Sequence, residues 1–225
     1  MCGRVVQKTP LHDISVLFET VNPIPNAAAT YNGAPTDRLP VVRIDQDGRR
    51  SLDLLRWGLI PYWAKDKSIG ARCINAMSET VATKSAFHDA FRRRRCLVPA
   101  DFFYEWQKTP AGKQPYAVGL ADGLPMAFAG LWERWNDPEA GDAVHTFTII
   151  TGPPNELVAP IHNRMPVILP RETWPRWLGE DEVALDDLQA MLRSYPAALM
   201  RAYPVGTRVG SVRNNDPDLL TPLAA

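Results

Sequence analysis

Cys2 is the residue with the widest potential chemistry, because it directly follows the initiator methionine. A small residue at position 2 permits removal of Met1, after which Cys2 carries a free α-amine beside its thiol. The amine titrates near ~8 and the thiol near ~8.5, so both are partly nucleophilic at neutral pH. The amine can activate the thiol for acyl transfer, or it can form a Schiff base with an aldehyde that the thiol closes into a thiazolidine. The alternative is that Cys2 is an ordinary residue of a frayed terminus.

Three other polar residues are candidates for proton transfer or substrate positioning. Glu105 lies among aromatic residues in FFYEW, where burial would raise its pKa toward neutrality, although an edge-strand glutamate facing water can have the same neighbours. His162, in a His-Asn-Arg triplet, suits general acid–base catalysis or a structural hydrogen bond. Asn75, in a short apolar segment, either braces the backbone or orients a substrate.

Arginines and aromatic residues near these candidates are suited to binding a nucleic acid. Three arginines stand beside other candidates and together would form a local phosphate-binding patch. These arginines are Arg4, Arg72 and Arg164. The consecutive arginines at 92–95 are interpreted mainly as a solvated helix end. Tyr62 and Trp63, in a proline-containing loop, can stack on bases or belong to the core.

The composition is that of an ordinary globular protein without overall charge. The 225 residues include 25 basic and 25 acidic side chains, so any anionic partner must bind a local patch. Three cysteines, an odd number, argue against a disulfide framework and for a reducing compartment. Cys73 and Cys96 lack the spacing of a metal site, so no metal is expected. Neither a signal peptide nor a membrane span is evident, and we expect a cytoplasmic monomer.

Short β-prone runs separated by turns dominate the sequence and indicate an α+β fold. We expect one domain over residues 1–225, with an antiparallel, barrel-like sheet flanked by short helices and a loose tail after about residue 215. Asp13 and Ser78 are expected to cap the first two helices, and residues 21–40 to form a long loop. The predicted strands cover 41–44, 51–57, 96–99, 102–106, 115–120, 126–131, 145–151, 165–169 and 203–205, and the predicted helices cover 11–20, 79–91, 155–158, 171–178 and 185–192.

Several motifs, in order, resemble those of the SOS-response-associated peptidase (SRAP) family. They extend from Cys2 to Leu169, most of the chain. The first motif alone is weakly diagnostic, but the ordered set is highly specific. The motifs are MCGR at 1–4, YNGAPT at 31–36, LRWGLIPYWA at 55–64, INA at 74–76, CLVPADFFYEW at 96–106, KQPYAV at 113–118, AGLW at 129–132 and IHNRMPVIL at 161–169.

The resemblance implies a SRAP-like fold and the shielding of abasic sites in single-stranded DNA. In this reading the amine and thiol of Cys2 capture the aldehyde of the ring-opened abasic sugar as a thiazolidine, which cross-links protein to DNA without a cofactor. By match to the family, Glu105 and His162 assist proton transfer, and Asn75 holds the sugar or the Cys2 end. Autolytic release of Met1, strand nicking by β-elimination and recruitment to the nucleoid after DNA damage are further expectations.

The resemblance also implies a DNA-binding channel. Its expected residues are Arg4, Asn32, Pro35, Trp63, Arg72 and Arg164. Two positions depart from the family pattern. Met77 stands where arginine is common, and Ala64 stands where an aromatic residue can follow the tryptophan. We therefore expect weaker DNA contact at these two points, with Arg72 able to compensate for Met77.

Two other functions fit part of the sequence. An N-terminal-nucleophile amidotransferase would also begin Met-Cys-Gly and use the Cys2 thiol on glutamine, but the chain lacks an Arg-Gly-Pro-Asp stretch to hold the glutamine carboxylate. A non-catalytic single-stranded DNA-binding protein would need only the arginines and aromatic residues, and it would leave Cys2 and Glu105 unexplained.

Overall fold

Two β-sheets, one of five strands and one of seven, form the framework of the molecule. The computed structural model describes residues 2–223 of the chain. The smaller sheet consists of β1 (Val5–Gln7), β2 (Thr30–Gly33), β7 (Phe102–Thr109), β8 (Gly112–Leu120) and β12 (Met200–Pro204). The larger sheet consists of β3 (Arg38–Ile44), β4 (Arg50–Trp57), β5 (Asn75–Met77), β6 (Arg95–Ala100), β9 (Met126–Asn136), β10 (Ala143–Gly152) and β11 (Met165–Pro166).

The larger sheet closes into a barrel. Its strands follow the order β10-β4-β3-β6-β9, and β9 pairs again with β10. Closure removes the exposed edges that an open sheet of these strands would have. The predicted α+β fold with a barrel-like sheet is confirmed, and most pairings are antiparallel. Strand β10 is the exception, because it pairs in parallel with β4 and with β5. No short hairpin connects these strands, so the chain is free to return in the same direction.

The alternation of side chains along the barrel strands divides the core in two. One set of alternate residues, including Val41, Trp57, Val98 and Phe147, packs inside the barrel and against the smaller sheet. The opposite set of positions faces outward and packs under the helices. These helices are α1 (Leu11–Phe18), α2 (His88–Arg93), α3 (Trp174–Leu178) and α4 (Leu185–Ala190). Among residues 2–223, no helix combines the length and apolar character needed to cross a membrane.

Several helix predictions are wrong in their bounds. The first helix is preceded by Pro10 at the N-cap, and Asp13 lies inside its first turn. Residues 79–87 form successive turns with i→i+3 bonds, so only α2 remains of the predicted second helix. Its expected cap Ser78 instead accepts a hydrogen bond from the Gln189 side chain on its backbone oxygen, at 2.6 Å. Residues 155–158 are a turn as well.

The two segments predicted to lack regular structure are better ordered than expected. The long loop over 21–40 contains β2 and the start of β3. The predicted loose tail is also wrong as far as residue 223. Pro217–Leu220 form a 3₁₀ turn that buries Leu219, and the Leu223 amide donates to the Pro204 carbonyl at 2.9 Å. A single buried leucine with backbone pairing is enough to fix this short segment on the smaller sheet.

Candidate active site

Cys2 lies in the interior, against the smaller sheet. Its side chain has no solvent exposure and belongs to the core cluster that fills the barrel. The pairing of β1 with β7 places it there. Val5 lies opposite Phe103, and the Tyr104 amide donates to the Arg4 carbonyl at 3.1 Å. Since alternate strand residues share a face, Glu105 lies on the same side of β7 as Phe103.

Glu105 and His162 form the polar centre of the site. The Glu105 carboxylate is 2% exposed, and burial raises its pKa to about 7. Its Oε2 atom lies 3.9 Å from Nε2 of His162. The other ring nitrogen of His162, Nδ1, accepts a hydrogen bond from the Arg164 backbone amide at 3.1 Å. Partial burial lowers the pKa of His162. Near neutral pH the pair can therefore present a protonated acid beside a neutral base.

The thiol of Cys2 is protonated in this environment. Burial raises the pKa of Cys2, and the nearby negative charge of Glu105 raises it further. A nucleophilic thiolate thus requires a proton acceptor in the site, and the glutamate and the histidine are candidates beside the Cys2 amine itself.

Asn75 braces the backbone and also presents an acceptor. Strand β5 pairs with β10, so Asn75 lies opposite Ile149. Its Nδ2 donates to the carbonyls of Ile74 at 3.0 Å and Ile149 at 3.4 Å. Its buried Oδ1 has no hydrogen-bond partner among residues 2–223. A buried acceptor left open in this way is suited to a substrate hydroxyl.

The arginines predicted to bind phosphate differ in their availability. Arg164 is held by both carboxylate oxygens of Glu79, with an Nη2–Oε2 distance of 2.9 Å, and also donates to the Thr151 carbonyl. Arg4 donates to the carbonyls of Gly3 and Gly210. Arg72 is exposed. The ion pair between Arg164 and Glu79 was not predicted from the sequence. The two residues are 85 positions apart, and no motif near either of them indicates that they pair.

Of the other side chains expected at the DNA, Trp63 in a loop and Met77 at the end of β5 are exposed. Trp63 is 46% exposed and Met77 is 47% exposed, while Pro35 is half-buried in a turn. Large apolar side chains at such positions can stack on bases. Ala64 behaves differently, because it is buried and its carbonyl accepts a hydrogen bond from Trp135 Nε1 at 2.7 Å. An aromatic residue at this position would have to displace the tryptophan, so the departure at Ala64 has a packing reason.

The comparisons with known proteins assign the family. The family model described as SOS response associated peptidase (SRAP) matches residues 1–212. This chain belongs to the SRAP family. The abasic site processing protein YoqW of Bacillus subtilis is 43% identical over 223 residues, which cover 98% of this chain and 99% of the relative. The abasic site processing protein HMCES of Gallus gallus is 33% identical, covering 86% of this chain and 66% of the relative. A crystal structure of a Bacteroides thetaiotaomicron protein matches 99% of this chain with a TM-score of 0.90 at 24% identity, which shows the shared fold.

Asn32, which was expected to line a DNA channel, is a buried side chain in this SRAP protein. It is 3% exposed. Its Nδ2 donates to the carbonyls of Val209, Ser211 and Asn214, at 3.2, 3.0 and 2.9 Å. The side chain therefore ties β2 to the C-terminal segment.

Asn32→Ala should lower the free energy of unfolding by about 1–3 kcal/mol, because it leaves one buried and two partly buried carbonyl oxygens without this donor. Urea denaturation measures the change, and Asn136→Ala, at an exposed position in β9, is the matched control. A normal unfolding midpoint combined with a large loss of DNA affinity would restore the original assignment.

The arginine run also requires a correction at its last residue. Arg95 is buried, and its guanidinium donates to the carbonyls of Trp177, Phe91 and Arg92. Arg94 pairs with the buried Glu133 at 2.8 Å. Only Arg92 and Arg93 lie exposed at the end of α2 as expected. Within residues 2–223, no group of three or more histidine, cysteine, aspartate or glutamate side chains is arranged to hold a metal ion.

Proposed function

We propose that this SRAP protein processes abasic sites in single-stranded DNA by forming a thiazolidine cross-link through Cys2. The observation that carries the proposal is the cluster of a buried Cys2 thiol, a glutamate with a pKa near 7 and a histidine 3.9 Å from that glutamate. The names of the relatives from Bacillus subtilis and Gallus gallus, which are abasic site processing proteins, support the choice of substrate.

The chemistry uses the two nucleophiles of Cys2 in turn. Once Met1 has been removed, the α-amine adds to the aldehyde carbon of the open sugar and gives a carbinolamine. Loss of the hydroxyl with one proton, as water, leaves the imine. The thiol then adds to the imine carbon and passes its proton to nitrogen, which closes the five-membered ring. The sum is protein plus DNA minus one water, with no oxidant and no external cofactor.

Glu105 and His162 divide the proton transfers between them. Opening the sugar requires protonation of the ring oxygen and deprotonation of the hydroxyl on the same carbon, and loss of water from the carbinolamine requires an acid. A carboxyl with a pKa near 7 is partly protonated at neutral pH and can supply that acid. The lowered pKa of His162 keeps the imidazole neutral as the base. The open oxygen of Asn75 would accept a sugar hydroxyl.

The surrounding surface would hold the strand on either side of the lesion. Trp63 and Pro35 would contact bases, while Arg4, Arg72 and Arg164 would contact phosphates. Autolytic release of Met1, β-elimination from the Schiff base and association with the nucleoid after damage belong to the same proposal. Release of Met1 would free the Cys2 amine, β-elimination would proceed from the Schiff base that this amine forms, and association with the nucleoid would need the DNA contacts named above.

Intact mass spectrometry tests the proposal directly. The purified protein is measured before and after mixing with single-stranded DNA that contains one abasic site. We expect a starting mass without Met1, followed by an adduct of protein plus DNA minus one water that survives denaturation. A protein that retains Met1 and forms no adduct would contradict the proposal. Loss of Met1 without an adduct would also contradict it and would direct the next assay to glutamine hydrolysis.

Glu79→Gln should strengthen binding of single-stranded DNA by about three- to tenfold, because a phosphate must now displace Glu79 from Arg164. The hydrogen bonds from Arg164 lower the pKa of Glu79, so its carboxylate is charged and competes at neutral pH. Fluorescence anisotropy at fixed salt measures the affinity. Glu172→Gln, which removes the same charge at another exposed position, is the control. Equal gains in both variants would show a general charge effect and would contradict phosphate binding by Arg164.

A further inference from the structure

A cleft separate from the Cys2 site lies near the beginning of β10. Its wall includes His145, whereas the active-site residue Asn75 lies opposite Ile149 on the same strand. Four strand residues separate these positions by about 13 Å. The cleft has a volume of about 910 Å³. It is therefore a separate feature, near the other end of the barrel strands from the candidate active site.

The lining of this cleft is strongly basic. Five arginines line it, namely Arg43, Arg92, Arg93, Arg95 and Arg134. Two aspartates also line it, but Arg49 pairs with both, at 3.8 Å from Asp45 and 3.0 Å from Asp47. Arg43 is balanced by Asp53 at 2.7 Å. No carboxylate in residues 2–223 forms an ion pair with Arg92, Arg93 or Arg134, and these three side chains are exposed.

Trp132 and a neutral histidine, His145, also line the cleft. The Arg43 guanidinium lies 4.4 Å from the centre of the Trp132 ring. The centre of the His145 ring lies 6.0 Å from the same tryptophan ring centre. Arg134 lies directly opposite His145 across β9 and β10, so the two side chains share a face. Burial lowers the pKa of His145, and the positive charges of Arg43 and Arg134 lower it further. The cleft lining thus carries more positive than negative side chains, although the adjoining groove beside Arg92 contains Glu180, Asp181 and Glu182.

We propose that this cleft binds backbone phosphates of the DNA strand that extends from the Cys2 site. The inference rests on the proposed function, which makes single-stranded DNA the partner. Three exposed guanidinium groups without carboxylate partners line this cleft, and a row of backbone phosphates can pair with several such groups at once. The net charge of zero also supports the proposal. Without an overall positive charge, affinity for a polyanion must come from local basic surfaces such as this cleft.

The test compares two triple variants on strands of two lengths. The cleft variant carries Arg92→Ala, Arg93→Ala and Arg134→Ala. The control carries Arg171→Ala, Arg176→Ala and Arg193→Ala, three exposed arginines that line a different groove. Both are measured on a strand of about 30 nucleotides and on a pentanucleotide with a central abasic site. At ~3.4 Å per stacked nucleotide, the pentanucleotide is too short to span from the site to the cleft.

We expect the cleft variant to bind the long strand about tenfold more weakly, with a salt slope reduced by about 2, because each phosphate contact contributes about 0.7. Its cross-linking of the pentanucleotide should equal that of the unmodified protein, and the control should change affinity less than twofold. Arg93→Gln and Arg134→Gln, tested singly to limit any effect on folding, should each weaken long-strand binding about threefold.

Three results would overturn the proposal. They are equal losses in the two triple variants, proportional losses on both strand lengths, and an unchanged affinity for the long strand. Failure of the proposed function gives a different result, because the unmodified protein would then form no adduct with the pentanucleotide whatever the cleft arginines do. The two hypotheses are thus separated within one set of measurements.

Discussion

Cys2→Ala should abolish the denaturation-resistant DNA adduct, with a loss of at least about 100-fold, and leave non-covalent binding of single-stranded DNA within about threefold. The thiol closes the thiazolidine, and alanine offers no second nucleophile. Binding persists because Cys2 is fully buried, whereas Trp63 and Arg72, two of the proposed DNA contacts, are exposed. Removing one buried sulfur costs little packing, so the variant should fold. Denaturing electrophoresis measures the adduct, and fluorescence anisotropy measures the binding.

Reduction by borohydride separates the roles of the amine and the thiol. Cys2→Ala keeps the α-amine after Met1 removal, so it should still give an adduct when borohydride reduces the imine. Without borohydride it should give none. Cys73→Ala, at another buried free cysteine, is the matched control and should cross-link normally. A stable adduct from Cys2→Ala without reductant would contradict thiazolidine formation and would implicate another nucleophile.

Features that depend on nearby residues could be predicted from the sequence. The Asp47-Gly48 turn joins β3 to β4, and Gly48 adopts a φ of 76° that suits glycine. The aromatic neighbours of Glu105 left two interpretations, a buried carboxyl with a raised pKa or an edge-strand glutamate facing water; Glu105 is buried, and burial raises its pKa. In each case the deciding interactions lie within a few residues of the position concerned.

Features that depend on distant residues could not be predicted. The role of Asn32 is set by the Val209 carbonyl, 177 residues away, and that of Arg95 by the Trp177 carbonyl, 82 residues away. The same short polar motif can contact DNA or hydrogen-bond a buried backbone, so its sequence alone does not distinguish the two roles. The prediction of the second helix was wrong for a related reason. Val81 and Phe87 pack against the outer face of the barrel, and this packing determines the conformation of residues 79–87. Tertiary contacts decide such positions, and local propensity does not.

Glu105→Gln should slow cross-linking by about 10²- to 10⁴-fold, the usual contribution of one general acid. In the unmodified protein the rate should decline above pH 7 as Glu105, whose pKa is about 7, loses its proton. Glutamine cannot titrate, so this alkaline decline should vanish in the variant and leave only the rise due to the Cys2 amine. Single-turnover rates between pH 5 and 9 measure both effects. An alkaline limb that persists in the variant would assign the acid to another group.

The same substitution should stabilise the fold at high pH. The pKa of Glu105 is about 7 in the folded protein against 4.5 as its ordinary value, so the native state binds the proton more tightly than the unfolded chain. This contribution to stability is complete below about pH 4.5 and is lost as the pH rises through 7, by about 3 kcal/mol. Glutamine has no charge to bury, so Glu105→Gln should exceed the unmodified protein in stability at pH 8 by about that amount and match it near pH 4.5.

Urea denaturation at the two pH values measures this difference, and Glu133→Gln provides the contrast. Glu133 is also buried, and burial raises its pKa, but Arg94 pairs with it at 2.8 Å. Removing that carboxylate leaves Arg94 without its partner, which offsets part of the gain from removing a buried charge, so Glu133→Gln should gain less stability at pH 8 than Glu105→Gln. An equal or larger gain for Glu133→Gln would show that its ion pair with Arg94 contributes nothing. A Glu105→Gln variant with the same stability difference at both pH values would show that burial does not raise the pKa of Glu105.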